Sequence, residues 1–189
     1  MVIQSERCPQ GAPTDQGFAP LMNPVGELLQ PEDICLDVDL SSKSQLFDKI
    51  SEILARRHGL VREKVRESLV ERERLGSTGL GHGVAIPHAR MNNLQQAVGS
   101  FVRTRMPIPF DAPDDRPVTN ILALLVPAEA TDKHLQLMAN AAGMFDDKTF
   151  RGRLRSCTQP REVKALFSEW PEAATSAASS EGGAASRGR

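Results

Sequence analysis

The sequence has no marked excess of charge of either sign. Its 23 lysines and arginines nearly balance 24 aspartates and glutamates, which leaves a formal net charge of −1 over 189 residues. A nucleic-acid-binding domain is expected to carry a strongly basic surface, so nucleic acid is not an expected partner. Hydrophobic residues make up 40% of the chain. This is enough to form the core of a globular domain.

Paired cysteines and long apolar segments are also lacking. The three cysteines, Cys8, Cys35 and Cys157, are odd in number, far apart and outside any C-x-x-C arrangement. They indicate neither a disulfide framework nor a zinc site. The N-terminal stretch has no basic start followed by an apolar segment, and no part of the chain approaches the roughly 18 apolar residues of a membrane span. We therefore expect a cytoplasmic protein in a reducing compartment, without membrane insertion.

The two ends of the chain differ in composition from its centre. Residues 1–26 carry repeated Pro, Gly and Gln without a period, and residues 171–189 are rich in Ala, Ser and Gly. Segments of this kind cannot bury enough apolar surface to offset the entropy lost on ordering. We predict a flexible tail at each end and one folded domain over residues 27–170.

Four apolar segments predict the strands of a sheet. Residues 34–40 alternate apolar and polar side chains, which is typical of a half-buried strand. Shorter apolar runs over 84–86 and 97–102 predict two more strands. A continuous apolar run over 121–126 predicts a strand that is buried on both faces.

Two helices are predicted between the first strand and a glycine-rich stretch. Ser41 or Ser42 can cap the first helix, and Gly59 lies where a helix end favours positive φ. A second helix begins near Val61 and must end before the glycines that start at Gly76. The predicted apolar face of the first helix consists of Leu46, Phe47, Ile50, Ile53 and Leu54.

Two further helices are predicted after the last strand. Thr131 can cap one, and Thr158 can cap the other with Pro160 in its first turn. Their predicted apolar residues are Leu135, Met138, Ala142 and Phe145 in the first, and Val163, Leu166, Phe167 and Trp170 in the second. Strands and helices interleave without a strict βαβ rhythm. We therefore expect an α/β fold, a single-domain sandwich with a mixed sheet of about five strands flanked by helices.

A glycine-rich stretch leads to a histidine. Residues 76–90 read GSTGLGHGVAIPHAR, with four glycines in eight residues and His88 directly after a proline. The glycines permit positive φ, so that successive backbone N–H groups could face one anion. Their spacing matches neither of the common nucleotide-binding glycine motifs. His88 can be neutral near pH 7 and offers a ring nitrogen as nucleophile, so this stretch indicates phosphoryl chemistry.

The run from Arg72 to His88, RERLGSTGLGHGVAIPH, resembles the signature of the type-2 enzyme IIA domains of the bacterial phosphoenolpyruvate-dependent phosphotransferase system. The similarity covers roughly residues 27–170, including AVGSFVRT, PIPFDAP and LALLVPAEATDKHLQLMA, and looks closest to the nitrogen-regulatory branch. It implies a single domain with a mixed sheet flanked by helices. It further implies that His88 accepts a phosphoryl group from a histidine phosphocarrier protein, with neither metal nor cofactor.

The resemblance also implies roles for other side chains. Arg72 and His134 fall on the two assisting positions of the family, where they would stabilise the transferring phosphoryl group. Four residues of the glycine-rich loop would complete a phosphate cradle with their hydroxyl and backbone N–H groups. These predicted cradle residues are Ser77, Thr78, Gly79 and Gly81.

Three functions remain open from the sequence. A regulatory phosphoacceptor would change its protein partners, still unidentified, as His88 gains or loses a phosphoryl group. A sugar-transport enzyme IIA would instead pass the group to an enzyme IIB, but LLQPEDICLDVDLSSKSQLFDKI resembles the regulatory branch, which favours regulation. A metal-dependent hydrolase using His82, His88 and His134 would need a carboxylate or His-x-x-x-His pairing that is missing. His58 and His82 are interpreted as surface residues without an obvious partner.

Overall fold

The helices and strands of the domain are described by a computed structural model over residues 23–129 and 132–171. The helices are α1 (Pro24–Leu28), α2 (Lys43–His58), α3 (Arg62–Arg74), α4 (Asp132–Asp146), α5 (Lys148–Ser156) and α6 (Pro160–Glu169), with a 3₁₀ turn at Pro31–Asp33. The strands are β1 (Ile34–Val38), β2 (Gly79–Gly81), β3 (Val84–Ala85), β4 (His88–Met91), β5 (Val98–Ile108) and β6 (Val118–Pro127).

One mixed sheet joins all six of these strands. Its order is β1-β5-β6-β3-β2, and β4 pairs with β6 beyond β3. Strand β5 runs antiparallel to β6, whereas β3 and β4 are both parallel to it. The mixed sheet confirms the predicted fold class, with one strand more than the expected five. The strands β2 and β4 were not predicted because their sequences, GLG and HARM, contain neither an apolar run nor a period-two pattern.

Two cores lie on opposite faces of the sheet. Alternate residues of β6 enter different cores because successive side chains of a strand point to opposite faces. Ile121, Ala123 and Leu125 pack in the core that contains α2 and α3. Leu122, Leu124 and Val126 pack in the core that contains α1, α4, α5 and α6. This double burial explains the continuous apolar run at 121–126.

The helix ends predicted from local sequence are confirmed for α2 and α3. The Ser42 hydroxyl accepts the N–H of Gln45 at 3.2 Å, and Gly59 ends α2 with φ of 65°. Helix α3 buries Val65 and Leu69 and ends at Arg74, before Gly76. The Ser42 cap and the Gly59 end depend only on residues within one turn of the helix end, so local sequence was sufficient to predict them.

The predicted face of α4 is partly wrong. Leu135 is 66% exposed, and Met138 and Ala142 are half-buried. The buried apolar residues are Leu137, Ala141, Met144 and Phe145. Apolar residues occur around much of this helix, so periodicity could not identify the buried face. The predicted cap, Thr131, lies outside the described residues.

Helix α5 and the true cap of α6 were also missed. Helix α5 is strongly charged and buries just Phe150 and Leu154 among its nine residues. The ring centroid of Phe150 lies 5.2 Å from that of Phe167 in α6. This aromatic contact between the two helices holds α5 in place. The cap position of α6 is Gln159, whose N–H donates to the Glu162 carboxylate at 3.1 Å, rather than Thr158.

The folded region begins before residue 27. The side-chain oxygen of Asn23 accepts the N–H of Val25 at 2.9 Å and caps α1. Val25 is fully buried, and the Lys164 ammonium donates to the Gly26 carbonyl at 2.7 Å. The assignment of residues 23–26 to a tail is therefore wrong. The remaining tail residues, 1–22 and 172–189, lie outside the described residues.

A chain that starts at Glu27 should be less stable than one that starts at Asn23. Burial of Val25 together with the Asn23 cap is expected to contribute about 2–4 kcal/mol to the free energy of unfolding. Urea unfolding of the two chains, both ending at Pro171, measures this difference directly. Equal midpoints for the two chains would show that α1 does not dock on α6.

No helix within residues 23–129 or 132–171 is long and apolar enough to cross a membrane.

Candidate functional site

His88 is the first residue of β4 and lies at the edge of strand β6. It pairs with Leu124 of β6, and the carbonyl of the preceding Pro87 accepts the Leu124 N–H at 2.9 Å. Ile86 and Pro87 separate β4 from the two-residue strand β3, which pairs along the same edge of β6. The histidine is thus held by a paired strand rather than by a free loop, and its ring is partly buried.

The two ring nitrogens of His88 have different partners. The distance from Nδ1 to the Ile86 carbonyl oxygen is 2.9 Å. Because a carbonyl can only accept, Nδ1 must carry the proton in this bond. In the neutral ring Nε2 then keeps its lone pair, and it faces the Nε–H of Arg72 at 3.2 Å. The local structure therefore fixes one tautomer and leaves Nε2 as the nucleophilic atom.

Burial lowers the pKa of His88 below its ordinary value. The positive charge of Arg72 and the neighbouring His134 lower this pKa further, whereas the bond to the Ile86 carbonyl and the charge of Glu73 oppose the shift. Loss of water contacts disfavours the charged imidazolium, as does the nearby cation. The neutral, nucleophilic ring is therefore the favoured form near pH 7.

Arg72 belongs to the last turn of α3, which packs beside β4. Its Nη1 donates to the carbonyl of Gly76 at 3.1 Å, while its Nε faces His88. These two contacts fix the guanidinium plane against the acceptor ring. A guanidinium in this position can pair with two phosphoryl oxygens at once.

His134 lies in the first turn of α4 and is 9% exposed. Its ring centroid is 5.8 Å from that of His88. Burial lowers its pKa, and the charge of Arg90 adds to this effect. Its Nδ1 is enclosed without a hydrogen-bond partner among the described residues. An enclosed lone pair costs less than an enclosed N–H without an acceptor, so we place the proton of the neutral ring on Nε2.

A pocket of about 590 Å³ contains the three predicted site residues. Leu75, on its rim, is 85% exposed. Sequence reasoning did not identify Arg90, which lies in β4 and adds a second permanent cation. The residues that line this acceptor pocket are Ser68, Glu71, Arg72, Leu75, His88, Ala89, Arg90 and His134.

The four predicted cradle residues are not among those lining the acceptor pocket. The Ser77 hydroxyl donates to the Phe110 carbonyl at 2.6 Å and accepts the N–H of Gly79 at 3.1 Å. Thr78 donates both its backbone N–H and its hydroxyl to Glu73, at 3.0 and 2.6 Å. These donors are occupied within the protein, so the geometry does not support the predicted loop cradle.

The glycines of this stretch serve packing and strand geometry instead. A Cβ on Gly79 would lie 2.8 Å from the Cβ of Ala112, closer than real contacts allow. Gly81 has φ of 86° and pairs with Val84 in the β2–β3 hairpin. The close approach at Gly79 and the positive φ at Gly81 explain why side chains are absent here.

Glu73 is a structural member of the site that the sequence did not reveal. Its side chain is 7% exposed and bonds to Lys43 at 2.9 Å as well as to Thr78. Lys43 also donates to the Phe110 carbonyl at 3.2 Å. Through these bonds, Lys43 of α2 and Glu73 of α3 hold the chain around Thr78, which follows the helix end that carries Arg72. In the sequence, the role of Glu73 is signalled only by its position directly after Arg72, which places the two side chains on different sides of α3.

The other histidines lie elsewhere. His82 occupies a turn with φ of 54° and is exposed, and it does not line the acceptor pocket. His58 is half-buried rather than on the surface; its Nε2 lies 3.6 Å from a carboxylate oxygen of buried Asp33 and has no hydrogen-bond partner among the described residues. Within the two described ranges, no group of three His, Cys, Asp or Glu side chains could hold a metal ion.

Comparison with known proteins gives one family. The family described as "Phosphoenolpyruvate-dependent sugar phosphotransferase system, EIIA 2" matches residues 27–170. The nitrogen regulatory protein of Klebsiella oxytoca is 38% identical, over 77% of this chain and 90% of its own. The fructose-specific EIIA component of the phosphotransferase system of Haloferax volcanii is 31% identical, over 57% of this chain and 70% of its own.

Two solved structures show the same fold. The crystal structure of nitrogen regulatory protein IIA-Ntr from Neisseria meningitidis is 45% identical and superposes with a TM-score of 0.73, covering 76% of this chain and 98% of that chain. The crystal structure of IIA mannitol from Escherichia coli has a TM-score of 0.62, covering 74% of this chain and 98% of that chain. At 22% identity, this second likeness concerns the fold alone.

Proposed function

Because the chain belongs to the type-2 enzyme IIA family of the phosphoenolpyruvate-dependent phosphotransferase system, we propose that Nε2 of His88 accepts a phosphoryl group from a histidine phosphocarrier protein. The observation that carries the proposal is the fixed tautomer of His88. The Ile86 carbonyl holds the proton on Nδ1, and the free lone pair on Nε2 faces a cation at the opening of a pocket. Catalytic roles for Arg72 and His134 belong to the same proposal.

The transfer passes the phosphoryl group in line between two ring nitrogens. The Nε2 lone pair of His88 forms the new N–P bond while the N–P bond of the phosphocarrier breaks, and the departing nitrogen keeps the bonding electrons. Arg72 exchanges its contact with Nε2 for contacts with the equatorial phosphoryl oxygens. His134 donates its Nε2–H to another of these oxygens. The protein thus acts by positioning and by stabilising charge, without a metal.

Exposed apolar side chains beside the acceptor pocket offer a docking surface for the donor. Leu75 on the pocket rim is 85% exposed, and Leu135, which follows His134, is 66% exposed. Large exposed apolar residues around a polar centre are typical of protein-binding surfaces. A protein donor that covers them would exclude water from the transferring group.

The output of the phosphoacceptor is regulation in the cytoplasm. Five relatives that are 34–39% identical carry the name nitrogen regulatory protein. A phosphoryl group on His88 adds about −1.5 to −2 charges to an exposed surface, which repels acidic partners and attracts basic ones. The second candidate, relay of the phosphoryl group to a sugar-system enzyme IIB, is favoured by the relative named as a fructose-specific EIIA component.

Partner binding by the two forms of the protein distinguishes regulation from relay. The full chain is phosphorylated with phosphoenolpyruvate, enzyme I and phosphocarrier, and the His88→Ala chain serves as the matched unphosphorylated form. Regulation predicts at least one partner whose affinity differs between the two forms, with the difference shrinking at high salt. Rapid loss of the label to an enzyme IIB, with no partner that distinguishes the forms, would establish the relay instead.

A further inference from the structure

A second pocket, of about 260 Å³, lies at the other end of strand β6. It is formed between the segment that leads into β6, the turn at His82 and helix α5. We call it the basic pocket. The residues that line it are His82, Arg116, Thr119, Asn120, Lys148, Arg151 and Arg155. No aspartate or glutamate lines it, whereas four permanent cations do.

The cations of the basic pocket form no salt bridge within the part of the chain that the structure describes. Arg116, Lys148, Arg151 and Arg155 take part in none of the salt bridges found within residues 23–129 and 132–171. Arg151 donates from Nη1 to the carbonyls of the last residues of α4, both at 2.6 Å. Like charges held this close repel one another, and a bound anion would relieve the repulsion.

Asp114, a carboxylate beside the basic pocket, is already engaged by backbone donors. Asp114 accepts the backbone N–H of His82 at 2.8 Å and that of Arg116 at 3.2 Å. These bonds and the Arg116 charge hold the pKa of Asp114 below its usual range. Asp114 shapes the turn beside the pocket and does not line it. The residues that line the pocket therefore carry only positive charge.

An unpartnered buried amide lies in the wall of the basic pocket. Asn120 is 8% exposed, and its Nδ2 donates to the Thr119 hydroxyl at 3.1 Å, while its Oδ1 has no partner among the described residues. Rotation of the amide by 180° exchanges the two atoms. The Thr119 hydroxyl then donates to Oδ1, and both N–H groups of Nδ2 become free. In this rotated orientation, the buried amide presents unpartnered N–H groups beside four cations, and an anion's oxygen can accept from them.

The basic pocket and the acceptor pocket share no lining residue. Asn120 pairs with Val84, and Leu124 pairs with His88. Leu124 lies four positions after Asn120 in β6, which corresponds to about 13 Å along the strand. The basic pocket is therefore a separate feature and does not depend on the proposed phosphoacceptor role.

We propose that the basic pocket binds a compact anion of the polyphosphate class, of which pyrophosphate is the simplest. Its cations come from two sides, Arg116 before β6 and Lys148 and Arg155 on α5. A diphosphate has oxygens at both ends and reaches both sides at once. Its charge also matches several cations better than that of a single phosphate.

Calorimetric titration of the full chain with inorganic pyrophosphate tests this proposal. We expect one bound anion per chain, affinity that falls with salt, and weaker binding of orthophosphate. Arg155→Gln should weaken pyrophosphate binding roughly tenfold or more, the usual effect of losing one charge-assisted bond. The matched control is Arg153→Gln, which removes the same charge from α5 outside the pocket. ADP tests whether the site takes the free anion or the diphosphate end of a nucleotide.

Three results would overturn the proposal. One is the absence of measurable pyrophosphate binding at low salt. Another is an equal loss of affinity in Arg153→Gln and Arg155→Gln, which would indicate general attraction to a basic helix. The third uses Arg72→Gln: binding that is lost in this variant but kept in Arg155→Gln would place the anion in the acceptor pocket. Thermal unfolding of each variant without anion verifies that it is folded.

Discussion

His88→Ala is expected to abolish phosphoryl transfer to the chain, whereas His134→Ala should still be labelled, more slowly. The alanine at position 88 removes the ring that carries the free Nε2 lone pair. His134 lies beside the same pocket, but its Nδ1 is enclosed and its proposed role is to donate a hydrogen bond. Incubation with phosphoenolpyruvate, enzyme I and phosphocarrier should add one acid-labile, base-stable phosphoryl group to the wild-type chain and to His134→Ala, and none to His88→Ala.

The controls separate loss of chemistry from loss of fold. His58→Gln alters a histidine outside the acceptor pocket and should be labelled like the wild type. Peptide mapping of the labelled wild-type chain should place the phosphoryl group in the segment around His88. A His88→Ala chain that is folded and still takes up phosphate would refute His88 as the acceptor. Label that maps to His134 in the wild type would exchange the proposed roles of the two histidines.

Arg72→Gln should slow transfer to His88 by about 10²–10³-fold, the usual effect of removing one preorganised contact to a transferring group. The guanidinium is fixed by His88 on one side and the Gly76 carbonyl on the other, so no ordering is needed during transfer. Arg72→Lys keeps the charge but loses the planar pair of donors, so its rate should lie between those of the glutamine variant and the wild type. Rapid-quench measurement of phosphoryl transfer under single-turnover conditions reports this rate.

Arg62→Gln provides the matched control on the same helix. Arg62 is the first residue of α3 and is exposed, and it lies ten positions before Arg72. It carries the same charge but lies about 15 Å away along the helix axis. A similar loss of rate in both variants would mean that Arg72 attracts the donor through the net charge of the helix and does not stabilise the transferring group. Arg72→Gln at the wild-type rate would remove it from the mechanism.

Local signals in the sequence predicted the parts of the fold that local interactions determine. The Ser42 cap and the Gly59 end of α2 are examples, because each depends on backbone groups within one turn. The face of α4 was not predictable in the same way. Leu135 and Leu137 are equally apolar, and contact with the rest of the domain decides which one is buried. Periodicity describes a helix by itself and not the surface against which it packs.

In the site, too, local sequence predicted some features and tertiary contacts decided the others. The motif placed His88 and Arg72 near each other in sequence, and the structure brings His134 beside them from α4. The geometry does not support the predicted loop cradle, because a glycine permits close approach without specifying which group approaches. At Gly79 the approaching group is Ala112, and at Thr78 the partner is Glu73. Ala112 is distant from Gly79 in the chain, and Glu73 is close to Thr78 in sequence but no pattern marks it as the partner, so both contacts are seen only in the structure.

The attachment of His88 to a paired strand has a consequence for how its state can be recognised. Its ring is held by the Ile86 carbonyl, and its backbone pairs with Leu124 in the interior of the sheet. Neither restraint involves Nε2, so a phosphoryl group could join or leave that atom without altering the backbone. The phosphorylated and unphosphorylated forms would then have the same backbone structure and differ in charge at His88. A partner that tells them apart would have to touch the acceptor pocket itself, and a partner bound elsewhere on the domain would not sense the change.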